Sequence, residues 1–248
     1  MKKVMSTILM CVILLSVCAG CKTSAQLSVP PSSSTSPYSY SVISEKYIMG
    51  NLVIDYPQLS GFQRFGSTDE ITQHDTNVSL FSNALLSMGS YIFSGSKLSA
   101  TITYQVVYQK SKILSVRYFG TGSIPDPPKG VKNPIQFRHG TTVDVSTGKQ
   151  LYLSDIFNIS DHFIKAFITH GKQDIPDVLG RSSSASYGGS DVSIILNQTG
   201  QNSTLSFYLN GDSLVILAPM ADDQLYPATI PMSEISQDLK SSYKDALA

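Results

Sequence analysis

Apolar and polar residues alternate most cleanly in "ATITYQVVYQKSKILSVRYF" (100–119). Ile102, Tyr104, Val106 and Tyr108 fall on one side of the alternation, and Thr101, Thr103 and Gln105 on the other. Leu114, Val116 and Tyr118 resume the period after "QKSK", which predicts a β-hairpin with one buried face. Upstream, "YSVISEKYIMGNLVIDYPQL" (40–59) reads as two strands joined at Gly50-Asn51. "STDEITQHDTNVSLFSNALLSM" (67–88) reads as a helix, with Ser67 and Glu70 at capping-box spacing and Ile71, Val78, Phe81 and Leu85 on one face.

Residues 120–136, "GTGSIPDPPKGVKNPIQ", break every period and predict a long loop. "TVDVSTGKQLYLSDIF" (142–157) follows as strand, Thr-Gly turn, strand and helix start, with Ser154 or Asp155 as the cap. "ISDHFIKAFITHG" (159–171) is helical and begins at Ser160, and "RSSSASYGGSD" (181–191) is a second polar loop. "VSIIL", "LSFYL" and "SLVILA" read as strands, the last two joined by the hairpin signal Asn210-Gly211. "MSEISQDLKSSYKDAL" (232–247) closes the pattern as one polar-faced helix. This order predicts an α+β fold with a central curved antiparallel sheet and packed helices over 38–248, with a subdomain split near 123–134 as an option.

The N-terminus belongs to a different pattern. "MKKVMSTILMCVILLSVCAGC" places Lys2 and Lys3 before an apolar run from Val4 to Val17, too short for an ordinary spanning helix. It closes on small residues before Cys21 and resembles the lipobox of bacterial lipoproteins, with Cys18 where Leu is usual. That resemblance implies a signal peptide over 1–20, a lipid on Cys21, and a chain held at the bacterial cell membrane on its extracytoplasmic face. Residues 21–37 are rich in Ser and Pro and predict a flexible tether. About 18 residues at about 5–6 Å per square-root residue reach about 25 Å from the bilayer.

Charge adds exclusions. There are 18 basic and 18 acidic residues, so nothing points to nucleic acid as a partner. The three cysteines lie at 11, 18 and 21, which leaves no disulfide framework for the folded part. His74, His139, His162 and His170 contain no pair at helical metal-ligand spacing, and no metal or other cofactor is expected. The three glutamates, Glu45, Glu70 and Glu234, sit near element starts, and no G-x-S-x-G elbow or phosphate loop occurs. No catalytic residue is assigned.

"VIDYPQLSG", "ITYQVVYQKSKILSVRYFG", "TVDVSTGKQLYLSDIF", "FYLNGDSLVILAP" and "ATIPMSEI", in that order, resemble the extracellular domain shared by lysozyme-sensing anti-sigma factors and membrane-anchored peptidoglycan deacetylases, in its stand-alone lipoprotein form. The resemblance spans about residues 40–240 and implies a non-catalytic sensing or binding module whose partner is cell-wall glycan (peptidoglycan) or a wall-acting protein such as lysozyme. The metal motif of the deacetylase domain is not found in the chain. A ligand site is expected on the 120–139 loop, with Tyr118, Arg138 and His139 as contacts, although Tyr118 also fits a core position and Arg138 a strand end. Two other readings stand beside this one. They are a wall hydrolase or deacetylase with a site assembled from distant residues, and a structural accessory protein of an envelope complex.

Overall fold

The computed structural model describes residues 36–92, 97–127, 133–174, 189–199, 205–219 and 225–247. The signal sequence, Cys21, residues 22–35 of the tether, and parts of the two polar loops (128–132 and 181–188) lie outside these.

The long hairpin predicted at the start is present as β1 (Tyr38–Met49) and β2 (Leu52–Arg64), with Gly50 at φ +59° in its turn. A two-residue strand, β3 (Ser67–Thr68), folds back on β2, and α1 (Glu70–Leu86) follows. Ser67 is used by that pairing, so the cap falls instead to Asp69. Its carboxylate accepts from Thr72 N at 3.0 Å and Thr72 Oγ1 at 2.8 Å.

The face that α1 buries is not the one its apolar spacing suggests. Thr76, Leu80, Asn83 and Ala84 point inward, while Ile71 is 77% and Val78 49% exposed. Two polar residues belong to the buried stripe because each is satisfied locally: Thr76 Oγ1 donates to Thr72 O at 2.8 Å, and Asn83 Nδ2 to Ser79 O at 2.9 Å. Phe81 is half-buried between the rings of Tyr47 and Tyr56.

The central hairpin, β4 (Ser99–Lys110) and β5 (Ile113–Ser123), pairs as its alternation predicts up to Val106. A register shift between Val106 and Tyr108 then turns Tyr108 to the opposite face, where its hydroxyl donates to Ala246 O at 3.1 Å. Strand β5 also runs four residues, Gly120 to Ser123, into the stretch predicted as loop. Next come β6 (Ile135–Asp144) and β7 (Lys149–Leu151), joined by a turn in which Gly148 has φ +71°. The sheet order is β1-β2-β4-β5-β6-β7, with β3 on β2. It is antiparallel except at one joint, where Leu52–Ile54 of β2 runs parallel to Ala100–Ile102 of β4 and α1 makes the crossover.

After β7 come α2 (Leu153–Ile156), α3 (Asp161–Asp174) and α4 (Gly189–Leu196). Asp155 Oδ2 accepts from Tyr152 N at 2.8 Å at the start of α2, and Ser160 Oγ accepts from Phe163 N at 3.1 Å at the start of α3. Helix α4 contains "VSIIL", which the sequence reading makes a strand. Val192 and Leu196, four apart, are the buried ones among its described side chains, and so short an apolar run satisfies either period. A second sheet holds β8 (Ser206–Asn210), β9 (Ser213–Pro219) and β10 (Leu225–Pro231) in the order β10-β9-β8. The predicted Asn210-Gly211 hairpin joins β8 to β9, with Gly211 at φ +57°. The C-terminal helix is broken. Residues Met232–Ile235 form α5 and Ser241–Leu247 form α6, because Leu239 bridges to Phe157 and Lys240 N donates to Ile156 O at 2.9 Å.

Parity divides the large sheet between two cores. Even-numbered residues of β5 (Leu114, Val116, Tyr118) and odd-numbered residues of β6 (Ile135, Phe137, Val143) pack under α1 with Leu80, Ala84 and Met88. On the other face lies the second sheet, whose far side (Phe207, Leu209, Leu214, Ile216) packs on Phe163, Ile164 and Phe167 of α3. The α+β layering thus runs from α1 through the large sheet and the small sheet to α3.

The sheets meet closely at Gly140. A Cβ there would lie 2.6 Å from Tyr208 Cδ1 and 2.8 Å from the Phe207 carbonyl carbon and oxygen. Gly140 N donates to Ser206 Oγ at 3.1 Å, and Leu209 N donates to Ser115 Oγ at 3.2 Å. Ser115 Oγ in turn shares a 2.8 Å hydrogen bond with Thr142 Oγ1. Since the obstructing atoms include backbone, Gly140→Ala is expected to destabilise the fold by about 1–3 kcal/mol, read as a lower urea midpoint at unchanged slope.

Candidate functional site

Asp144, Lys149 and Asp155 are the charged residues of the 142–157 stretch, and two of them are structural. Asp144 is buried, accepts from Ser146 N at 2.9 Å, and lies 3.5 Å from Lys112 Nζ. That ammonium sits 4.4 Å from the centre of the Tyr243 ring. Burial, with Asp144 and Asp155 close by, pushes the Tyr243 hydroxyl up to about 12. Asp155 holds the first turn of α2.

The three expected contact residues are neighbours in the sheet, but they face two ways. Tyr118 and His139 are cross-strand partners directed toward α1. Tyr118 is 1% exposed and its hydroxyl donates to Leu80 O at 2.9 Å, and burial raises its pKa well above the usual tyrosine range. His139 is half-buried, with Nε2 2.9 Å from Asn83 Oδ1. The Asn83 amide nitrogen already donates to Ser79 O and, at 3.0 Å, to Gln150 Oε1. Its oxygen must therefore accept, and His139 is the neutral Nε2–H tautomer. Burial pulls the imidazole down to about 4.

Arg138 has the opposite parity and is exposed. Across the sheet it pairs with Phe119, which pairs with Thr103, and the flanking rows are Gln105–Arg117 and Thr101–Thr121–Gln136. Directly opposed side chains in a sheet share a face. These rows therefore form a polar surface with Phe119, 37% exposed, at its centre and a guanidinium on each side. Arg117 lies 4.9 Å from the centre of the Phe119 ring, and its Nε is buried without a hydrogen-bond partner among the described residues. The small sheet first covers this face at Gly140, so the patch is the part left open.

Arg117 and Phe119 were not among the expected contacts, yet their parity was readable. In "ILSVRYFG" they oppose Leu114, Val116 and Tyr118, and a Phe on the solvent parity of a half-buried strand is the signal. A narrow cleft beside the patch, walled by Gly140, Thr141, Thr142, Gln150 and Ser206, is barely large enough for one water. His162 Nδ1 lies 2.8 Å from Asp238 Oδ2, and His170 Nε2 2.8 Å from Glu234 Oε2, both tying α3 to the C-terminal segment. Among the described residues, no helix is long and apolar enough to cross a membrane.

The neutral His139 has a consequence for stability. Its folded pKa is depressed, so the unfolded chain binds more protons as the pH falls below the ordinary imidazole value. The stabilisation is complete above about pH 6.5 and is lost between there and about pH 4. The half-buried ring keeps some solvent, so the loss from pH 7 to pH 5 is expected to be about 1–2 kcal/mol. Urea titrations of wild type and His139→Gln at several pH values would read it as a flatter pH profile in the variant.

No family model and no curated protein matches the chain. Two solved structures of DUF3298 family proteins are similar to it. One, from Bacteroides fragilis NCTC 9343, has a TM-score of 0.48 at 14% identity, covering 86% of this chain and 98% of that one. The other, from Pseudomonas aeruginosa PAO1, has a TM-score of 0.48 at 12% identity, covering 83% and 95%. At that level the similarity carries no argument about activity or ligand, which must come from the residues themselves.

Proposed function

We propose that this chain is a lipid-anchored extracytoplasmic lipoprotein that acts as a non-catalytic binding or sensor module at the bacterial cell wall. Two parts of the reading come from the sequence: the lipobox-like "VCAGC" and the Ser/Pro-rich run that leads into β1. The observation that carries the binding role is the open sheet face with Arg117, Phe119 and Arg138. Arginine beside an accessible aromatic ring matches a ligand that combines a flat apolar face with carboxylate or carbonyl acceptors. The unpartnered Arg117 Nε offers a buried donor for such an acceptor. Peptidoglycan has both features in its sugar rings, acetamido groups and peptide carboxylates, and it is the favoured ligand over a wall-acting protein such as lysozyme.

Anchoring is tested by labelled fatty acid, which should enter wild type and not Cys21→Ser. Equal labelling of both would remove the anchor. Binding is tested by co-sedimentation of the purified chain with peptidoglycan sacculi and, separately, by titration with lysozyme. Arg138→Ala and Phe119→Ala are each expected to weaken sacculus binding about tenfold with folding unchanged. Binding to lysozyme alone would move the ligand to a protein. Release of acetate or of new reducing ends from the sacculi would make the chain a wall-modifying enzyme.

A further inference from the structure

The turn between β2 and β3 breaks a local rule. Arg64 pairs with Ser67, and the two residues between them, Phe65 and Gly66, have φ +51° and +79°. Two positive φ values mark a type I′ hairpin turn, whose first central position favours Asn, Asp or Gly. A bulky aromatic residue there is an outlier in backbone conformation. Nor does Phe65 compensate by burial, because its side chain is 76% exposed. Ile71, six residues on in the first turn of α1, is 77% exposed, and these are the two most exposed large apolar side chains among the described residues. The Arg64 guanidinium lies 5.8 Å from the centre of the Phe65 ring, a surface contact that leaves the ring solvated. A bulky residue at so exposed and strained a turn position is the kind of local violation expected at a working surface.

The position of this corner suggests what covers it. Phe65 N donates to Pro37 O at 2.8 Å, and Tyr38 pairs with Arg64. The tether therefore enters the domain at the Phe65 turn. Fifteen residues separate Cys21 from Pro37 (22–36), and a flexible Ser/Pro-rich tether of that length, as the sequence composition predicts, would span about 20 Å. If Cys21 carries lipid, no other corner of the domain is more directly leashed to the bilayer. Asp69 and Glu70 follow Arg64 by five and six residues, so the corner carries no net positive charge and contact rests on the apolar side chains.

We infer that Phe65 and Ile71 insert into the interfacial region of the membrane that holds the anchor, docking the domain with this corner down. The inference rests on the lipoprotein reading above. The geometry directs the opposite end of the β1–β2 hairpin, at Gly50, away from the bilayer by about 40 Å for twelve residues of strand.

The chain contains no tryptophan, so a single one reports its own position. The full lipidated chain is reconstituted into phosphatidylcholine vesicles with and without brominated acyl chains, as F65W, I71W and I48W. Ile48 is 64% exposed near the far turn and serves as the distant control. Bromine is expected to quench F65W and I71W at least about threefold more than I48W. Adding phosphatidylglycerol should change little. Phe65→Asn, which suits the turn, should abolish the quenching of I71W while the protein stays folded by circular dichroism. Chains that float with the vesicles while all three tryptophans quench equally would overturn the docking and leave the anchor standing. Shielding of F65W from iodide without bromine quenching would place protein over the corner, and would also overturn it. Failure of the chain to float would remove anchor and docking together.

Discussion

Everything on the C-terminal side of this molecule depends on one close approach. Strand β8 lies against β6 at Gly140, where an added Cβ would fall within 3 Å of the Phe207 backbone. The same point carries the hydrogen bond from Gly140 N to Ser206 Oγ, and Leu209 N reaches Ser115 Oγ nearby. A glycine supplies the room, and the hydroxyls of Ser206 and Ser115 satisfy backbone donors that the crossing takes from water. The contact also sets where the second sheet begins to cover the first. Residues beyond it on that face, Arg138 and Phe119 among them, are left to solvent. Packing and candidate surface thus have the same origin.

The sequence carried strand content, turns and parity well, because each depends on neighbours two residues away. The Gly50, Gly148 and Gly211 turns all have the positive φ that glycine favours. What it did not carry lies where a distant partner changes a local preference. On α1 the buried face includes Asn83, whose amide serves Ser79, Gln150 and His139, and no apolar period can announce a polar residue inside a core. Tyr108 obeys the alternation of β4 in sequence and violates it in space, because one extra residue bulges at Val107. "VSIIL" has the length and composition of a strand, yet it meets the α3 core as a helix.

The candidate surface was half legible. Arg138, His139 and Tyr118 do lie side by side in the sheet, as their grouping in the sequence reading expects. Strand parity then separates them: Tyr118 and His139 belong to the buried network under α1, and Arg138 joins Arg117 and Phe119 on the other side of the sheet. A one-residue step along a strand is a change of solvent, from a site where imidazole stays neutral to one where a guanidinium stays wet. Proximity in sequence could not make that distinction, but the alternation already on the page could.

The parallel joint between β2 and β4 has a mechanical meaning. It couples only Leu52–Ile54 to Ala100–Ile102, yet it is where the sheet joins the β1–β2 hairpin, at whose end the tether enters, to the strands that carry Arg117 and Arg138. On the proposed reading, in which a bilayer holds one end and a cross-linked wall the other, tension would pass through this narrow seam and through α1, which bridges it. Three paired positions join the two parts of the sheet there, against eleven between β4 and β5, so a load crossing the sheet would meet one of its shortest ladders at this seam.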